Sequence, residues 1–240
     1  MAWDPSDYEN IVEHNANQVG QVSMESALGR ALYNMAKSSK NRTVLEIGTW
    51  NGRGSTHCIV EGLKARAPGA PEPVFYSLEC NAEKVAMAKE LYKDISYVHI
   101  LNEVLLTEMP ADMKAVFPEL LTNPTAQYWN KVDFDNMRGK PMFLERADLP
   151  QVFDVVLLDG GEYTTWYEYL ALKNRCRVLA LDDTNVAKCR KIVREVLDDS
   201  SWKVILNSDE RNGTFICYRQ GLIPAPGPVP VPGPVLREHA

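Results

Sequence analysis

The segment RVLALDDTN ends an apolar run with two adjacent carboxylates, Asp182 and Asp183. A second apolar run, in FDVVLLDGGEY, ends in Asp159 and carries Glu162 just beyond it. Neighbouring like charges repel, and a buried carboxylate is costly unless it is paired or bound to a cation. Two readings follow. Asp183 or Thr184 could cap a helix that starts near Asn185. Alternatively, Asp159, Asp182 and Asp183 are oxygen ligands for a hard divalent cation such as magnesium. A cap needs only one such residue and leaves Asp182 and Asp159 unexplained.

A third stretch binds rather than reacts. VLEIGTWNGRGST places Gly48, Gly52 and Gly54 between a strand and a helix, with Thr49 and Ser55 in the same turn. Such a turn lets the backbone approach a ligand and aims helix-start N–H groups at an anionic or polar group. The spacing is G-x-x-x-G-x-G, which departs from the G-x-G-x-x-G dinucleotide fingerprint. One unit later FYSLEC ends in Glu79. An acidic side chain there accepts hydrogen bonds from ribose hydroxyls in doubly wound sheets. Glu79 also reads as a carboxylate favoured by the start of the following helix. Glu46 reads as a ligand contact, as a structural acceptor beneath the turn, or as both.

The elements that must position these groups alternate. Helical spacing covers 23–39, with Ser23 as its cap, then 55–67, 81–94 behind Asn81, 164–174 and 185–199. Strand runs cover 43–48, 73–79, 96–101, 153–159 and 177–182. WKVILN and TFICYR flank SDERNG, where Asn212-Gly213 signals a hairpin. The pattern predicts an α/β fold: a doubly wound, mostly parallel, seven-stranded sheet closed by a C-terminal antiparallel hairpin. It covers residues 1–220. The stretch 105–150 is longer than a crossover needs, and reads as a surface excursion, a lid or a partner surface. Residues 221–240 form a Pro-rich tail, read as polyproline II or disordered.

A glycine turn of the form E-x-G-x-x-x-G followed by an acidic strand end resembles the class I S-adenosylmethionine-dependent methyltransferases. The resemblance implies that the glycine turn cradles the methionine part of the cofactor, that the acidic residue holds the ribose, and that the third strand's end meets adenine. These roles fall on Glu46, Gly48, Gly52 and Gly54, then Glu79, then Asn102 or Glu103. DGGEY and DDTN further resemble the metal-dependent O-methyltransferase branch, of the catechol and of the macrocin and aminocoumarin sugar types. There the patterns look like D-G-D-x-Y and D-D-Y, so Gly161 stands in place of a carboxylate and Thr184 in place of a tyrosine. The implied activity is methyl transfer to a small hydroxylated acceptor with magnesium assistance. Asp159 and Glu162 are the catalytic candidates, Glu162 as a base or simply a solvated loop carboxylate. Tyr163, Trp166 and Tyr167 line an acceptor pocket or pack the core.

The remaining numbers exclude more than they identify. The chain has 240 residues and a net charge of −6, which argues against a general nucleic-acid binder. Five cysteines, odd in number and widely spread, read as free structural thiols in a reducing compartment. The acidic N-terminus lacks an apolar signal region and no run reaches a membrane span, so a cytoplasmic protein is expected. Oligomers remain open. Two rivals remain: an NAD(P)-dependent oxidoreductase on a similar sheet, and a non-catalytic methyltransferase-like binding or assembly module.

Overall fold

The computed structural model describes residues 22–220. The Pro-rich tail lies outside the described residues.

In chain order the elements are α1 (Ala27–Lys37), β1 (Thr43–Ile47), α2 (Ser55–Lys64), β2 (Val74–Leu78), α3 (Ala82–Tyr92) and β3 (Val98–Leu101). Three helices follow, α4 (Met113–Val116), α5 (Glu119–Thr122) and α6 (Pro124–Met137). Then come β4 (Phe153–Leu158), α7 (Thr165–Leu172), β5 (Cys176–Asp182), α8 (Ala187–Asp198), β6 (Trp202–Ser208) and β7 (Thr214–Arg219). The seven strands form one sheet in the order β3-β2-β1-β4-β5-β7-β6. All pairings are parallel except β5 with β7 and β6 with β7. The antiparallel closing hairpin is as expected. The strand order reverses between β1 and β4, which run parallel, and ligands bind at such a switch point, outside the carboxyl ends of the strands.

Strand alternation sends successive side chains to opposite faces. Val44, Phe75, Val155 and Val178 meet α1, α2 and α3 through Leu28, Leu32, Ile59, Val85 and Ala88. Leu45, Leu78, Val156 and Leu179 meet the other layer, built by α7, α8 and the segment between β3 and β4. The central strands are therefore apolar on both sides, as buried parallel strands must be.

Local signals explain most boundaries. The α1 cap is Ser26 rather than Ser23: its side chain accepts from the Gly29 N–H, and its hydroxyl donates to the Ser23 carbonyl. Asn81 caps α3 by accepting from Glu83 and Lys84 N–H groups. The stretch 105–150 is not a surface excursion. Met113, Phe117, Leu120, Phe134, Met137 and Phe143 are all buried in the second layer. Its longest helix, α6, starts with Asn123 as cap and Pro124 in the first turn, a start signal that the aromatic and charged residues beyond it masked. All five cysteines are free. Burial pushes the thiols of Cys58 and Cys176 up to about 11 and about 12, which keeps them unreactive. No helix among the described residues is long and apolar enough to cross a membrane.

Candidate functional site

A cavity of 680 Å³ opens at the switch point, above the ends of β1 and β4, within the size range of small-molecule sites. Gly48, Thr49, Trp50, Gly54 and Ser55 form one wall, and Glu79, Cys80, Asn81 and Lys84 the next. Glu103, Val104 and Leu105 follow, and α6 closes the far side with Trp129, Val132, Asp133, Asn136 and Met137. Asp159, Gly160, Gly161, Glu168, Asp182, Asp183, Arg211 and Asn212 also line it.

The glycine turn is shaped from below. Gly48 has φ +99°, and a β-carbon on it would fall 2.2 Å from the Asp159 carbonyl oxygen. Only glycine lets β1 leave the sheet so close to β4. Gly52 has φ +78°, and its carbonyl accepts from the Tyr92 hydroxyl. Glu46 lies fully buried beneath the turn. Its carboxylate accepts from Ser55 Oγ at 2.6 Å, Thr56 Oγ1 at 2.7 Å and Ser77 Oγ at 2.5 Å. Burial pushes its pKa up to about 7 against those three bonds. Glu46 thus ties the start of α2 to β1 and β2 and does not line the cavity.

Glu79 does line it. Oε2 accepts from the Trp50 N–H and Oε1 from the Asn81 N–H, both at 2.8 Å. The carboxylate therefore clamps two loops together and keeps lone pairs for a ligand. Burial raises its pKa. Trp50 adopts φ 49°, uncommon for a bulky residue, and Lys84 Nζ stands 5.2 Å from its ring centre. Asn102 is committed to structure. Its amide donates to the Glu79 and Cys80 carbonyls and its oxygen accepts from Lys140. Glu103 faces the cavity, ion-paired to Arg146 at 2.9 Å, with Oε2 buried and unpartnered.

At the β4 and β5 ends, Asp159, Asp182 and Asp183 converge, with carboxylate oxygens within 4.8 Å of one another. Sequence reasoning missed their partners. Lys188 Nζ lies 2.5 Å from Asp159 Oδ1 and 3.1 Å from Asp183 Oδ2. Arg211 Nη2 lies 2.6 Å from Asp182 Oδ2. Burial pushes Asp159 up to about 6, with Asp182 and Asp183 adding to it and Lys188 opposing. Burial also acts upward on Asp183, but Lys188 and the Asn212 and Arg211 side chains outweigh it and leave its pKa below the ordinary value. Asp182 Oδ1 and Asp183 Oδ1 are buried without a partner. Asp183 itself has φ 57°.

Helix capping is done elsewhere. Glu162 Oε1 accepts from the Lys188 N–H at 3.2 Å, so this carboxylate serves the start of α8 and lies outside the cavity lining. Two other carboxylates, Asp133 and Glu168, take that side of the cavity. Burial raises each to about 7; the Glu79 charge adds to Asp133, and the Asp133 charge adds to Glu168. Glu168 Oε2 is buried and unpartnered. Neither was singled out in the sequence; α6 brings Asp133 from before β4, and α7 brings Glu168 from just after it. Tyr163, Trp166 and Tyr167 pack in the second layer: Tyr163 sits edge-on to Phe117, and the Tyr167 hydroxyl donates to Asp112.

Known structures share this architecture. An O-methyltransferase from Bacillus cereus in complex with SAH has a TM-score of 0.52 at 13% identity, covering 92% of this chain and 93% of its own. The O-methyltransferase TomG from Streptomyces achromogenes, involved in tomaymycin synthesis and solved with SAM, gives 0.52 at 13%, covering 92% of each. A methyltransferase from Geobacter sulfurreducens gives 0.51 at 12%, covering 91% of this chain and 92% of its own. The fold is that of the class I methyltransferases. No protein-family model matches the sequence, and no curated protein matches it either. Within that fold the cavity takes its lining from the ends of β1 to β5, with α6 as a further wall.

Proposed function

We propose that this chain is an S-adenosylmethionine-dependent methyltransferase that methylates an oxygen of a small hydroxylated acceptor. The supporting observation is charge. The cavity is lined by seven carboxylates, Glu79, Glu103, Asp133, Asp159, Glu168, Asp182 and Asp183; Lys84 and Arg211 line it too, and Arg146 and Lys188 pair with Glu103, Asp159 and Asp183, so the carboxylates remain in excess. Such a surface complements a cationic sulfonium nucleoside. The shape agrees: a turn that only glycine can make stands beside a buried acidic strand end. Unpartnered oxygens of Glu103 and Glu168 are available to hydrogen-bond donors of a ligand. The oxygen acceptor is supported by the neighbours named O-methyltransferases.

When bound, S-adenosylmethionine supplies a methyl group on a positively charged sulfur. The Gly48–Gly54 turn and Ser55 hold its amino-acid end, Glu79 takes ribose hydroxyls, and Glu103 with Val104 and Leu105 face the base. Asp133 or Glu168 takes the proton of the acceptor hydroxyl, since a base near pKa 7 is well matched to neutral pH. α6 keeps water from the reacting centre.

Magnesium, expected from the sequence, does not enter this reading. A divalent ion bound by Asp159 and Asp183 would stand near the Lys188 ammonium. At about 4 Å and an effective dielectric of about 20, repulsion is roughly 4 kcal/mol per unit of cation charge. Calorimetry with S-adenosylmethionine and S-adenosylhomocysteine, with NAD(P) as control, tests the proposal. One nucleoside site per chain is expected; no heat with either sulfur nucleoside rejects it. Release of S-adenosylhomocysteine across a panel of phenols and sugars then selects the acceptor.

A further inference from the structure

Lys188 occupies the centre of the acidic cluster. Its side chain is 7% exposed, with the amine on Asp159 and Asp183 and the backbone N–H on Glu162. It is also the second residue of α8. A cation at a helix start opposes the helix dipole, so the position is unfavourable unless the carboxylates hold it there. They do: the ammonium lies 2.5 Å from Asp159 Oδ1 and 3.1 Å from Asp183 Oδ2. Arg211 pairs with one oxygen of the third carboxylate, Asp182 Oδ2.

We infer that Lys188, with Arg211, is a built-in counter-cation that replaces a divalent metal at the Asp159–Asp182–Asp183 cluster. The chain carries a carboxylate cluster with the spacing of a metal site but pairs it with its own side chains. Lys188 is then a positioning residue, bridging Asp159 and Asp183 and holding them together at the cavity rim. Its consequence for turnover rests on the methyl-transfer reading. The cation chemistry does not, because it concerns only this chain's own charges.

The test uses manganese alone, without nucleoside, so its outcome is separate from that of the nucleoside calorimetry. Wild-type chain titrated with Mn2+ and followed by electron paramagnetic resonance should show no stoichiometric site. Lys188→Met should gain one site per chain, with a melting temperature that rises with added Mn2+, and a further Asp183→Asn should remove the gain. Lys188→Arg keeps the charge and should bind none. A wild-type Mn2+ site that Asp159→Asn abolishes overturns the inference, and this measurement stands even if Lys188→Met fails to fold. A folded Lys188→Met that gains no Mn2+ site also overturns it.

Discussion

The carboxylate of Asp133, on α6, fills the space in front of Gly161: a β-carbon on that glycine would fall 2.4 Å from Asp133 Oδ2 and 2.8 Å from Thr164 Oγ1. The β4 loop lacks a side chain where an acidic one was looked for, and a residue from 28 positions earlier supplies the carboxylate. Gly161→Ala should displace Asp133 and cost about 1–3 kcal/mol, as overpacking does. Adding Asp133→Ala should restore part of it, giving a coupling of at least about 0.5 kcal/mol. Urea denaturation of both single variants and the double checks this; strict additivity would show that the two residues do not compete for space.

Gly48→Ala should be far more damaging. The new β-carbon meets backbone rather than a movable side-chain end, at a φ that L residues rarely adopt. Steric and backbone strain together should reach about 3 kcal/mol or more, or roughly 6–12 °C in melting temperature for a chain of this size. Thermal unfolding followed by circular dichroism measures it.

Glu79→Ala should weaken nucleoside binding. It removes an acceptor for ligand hydroxyls and releases the Trp50 and Asn81 N–H groups that shape the loops. Losing a charged hydrogen bond costs about 1.5–3 kcal/mol, so the S-adenosylhomocysteine Kd should rise roughly 10- to 150-fold. Calorimetry at constant salt gives the value, and an unchanged Kd would remove Glu79 from the ligand site.

The preference for S-adenosylmethionine over S-adenosylhomocysteine should grow with pH. The ligands differ in the methyl group and the sulfonium charge it carries. Asp133 and Glu168 lose protons near pH 7, so the cavity becomes more negative between about pH 6 and 8. Each ionised carboxylate should favour the cation by on the order of 1 kcal/mol, about fivefold. Competition binding at pH 6 and pH 8 reads the ratio, and Asp133→Asn with Glu168→Gln should flatten it.

Glu46 links pH to stability in the opposite sense from an ordinary ion-paired carboxylate. Its pKa rises from 4.5 to about 7 on folding, so the folded chain holds the proton more tightly. The contribution is fully present below pH 4.5 and is lost as pH rises through 7. Glu46→Gln keeps the shape without the charge. Its stability relative to wild type should therefore increase with pH across that window, and chemical denaturation at pH 5 and pH 8 would show whether it does.

The architecture was legible because its signals are local. Apolar runs ending at Gly48, Glu79, Asp159 and Asp182 mark parallel strands, and the Asn212-Gly213 turn marks the closing hairpin; periodicity and turn chemistry act over a few residues. The sequence by itself therefore determined the strand–helix alternation and which acidic residues end the strands. Tertiary structure decided what those residues meet. Lys188 sits five residues after Asp183 in sequence, yet it reaches Asp159 only because β4 and β5 are neighbours and α8 starts at their ends. Asp133 looked like one charge among many in a turn-rich stretch until α6 folded across the cavity. Glu46 and Glu79, both acidic residues at strand ends, separated into a buried brace and a cavity wall. Glu46 lies within β1, beneath the turn, whereas Glu79 follows the last residue of β2 and so reaches the rim; burial, partner and charge balance are properties of the packed chain.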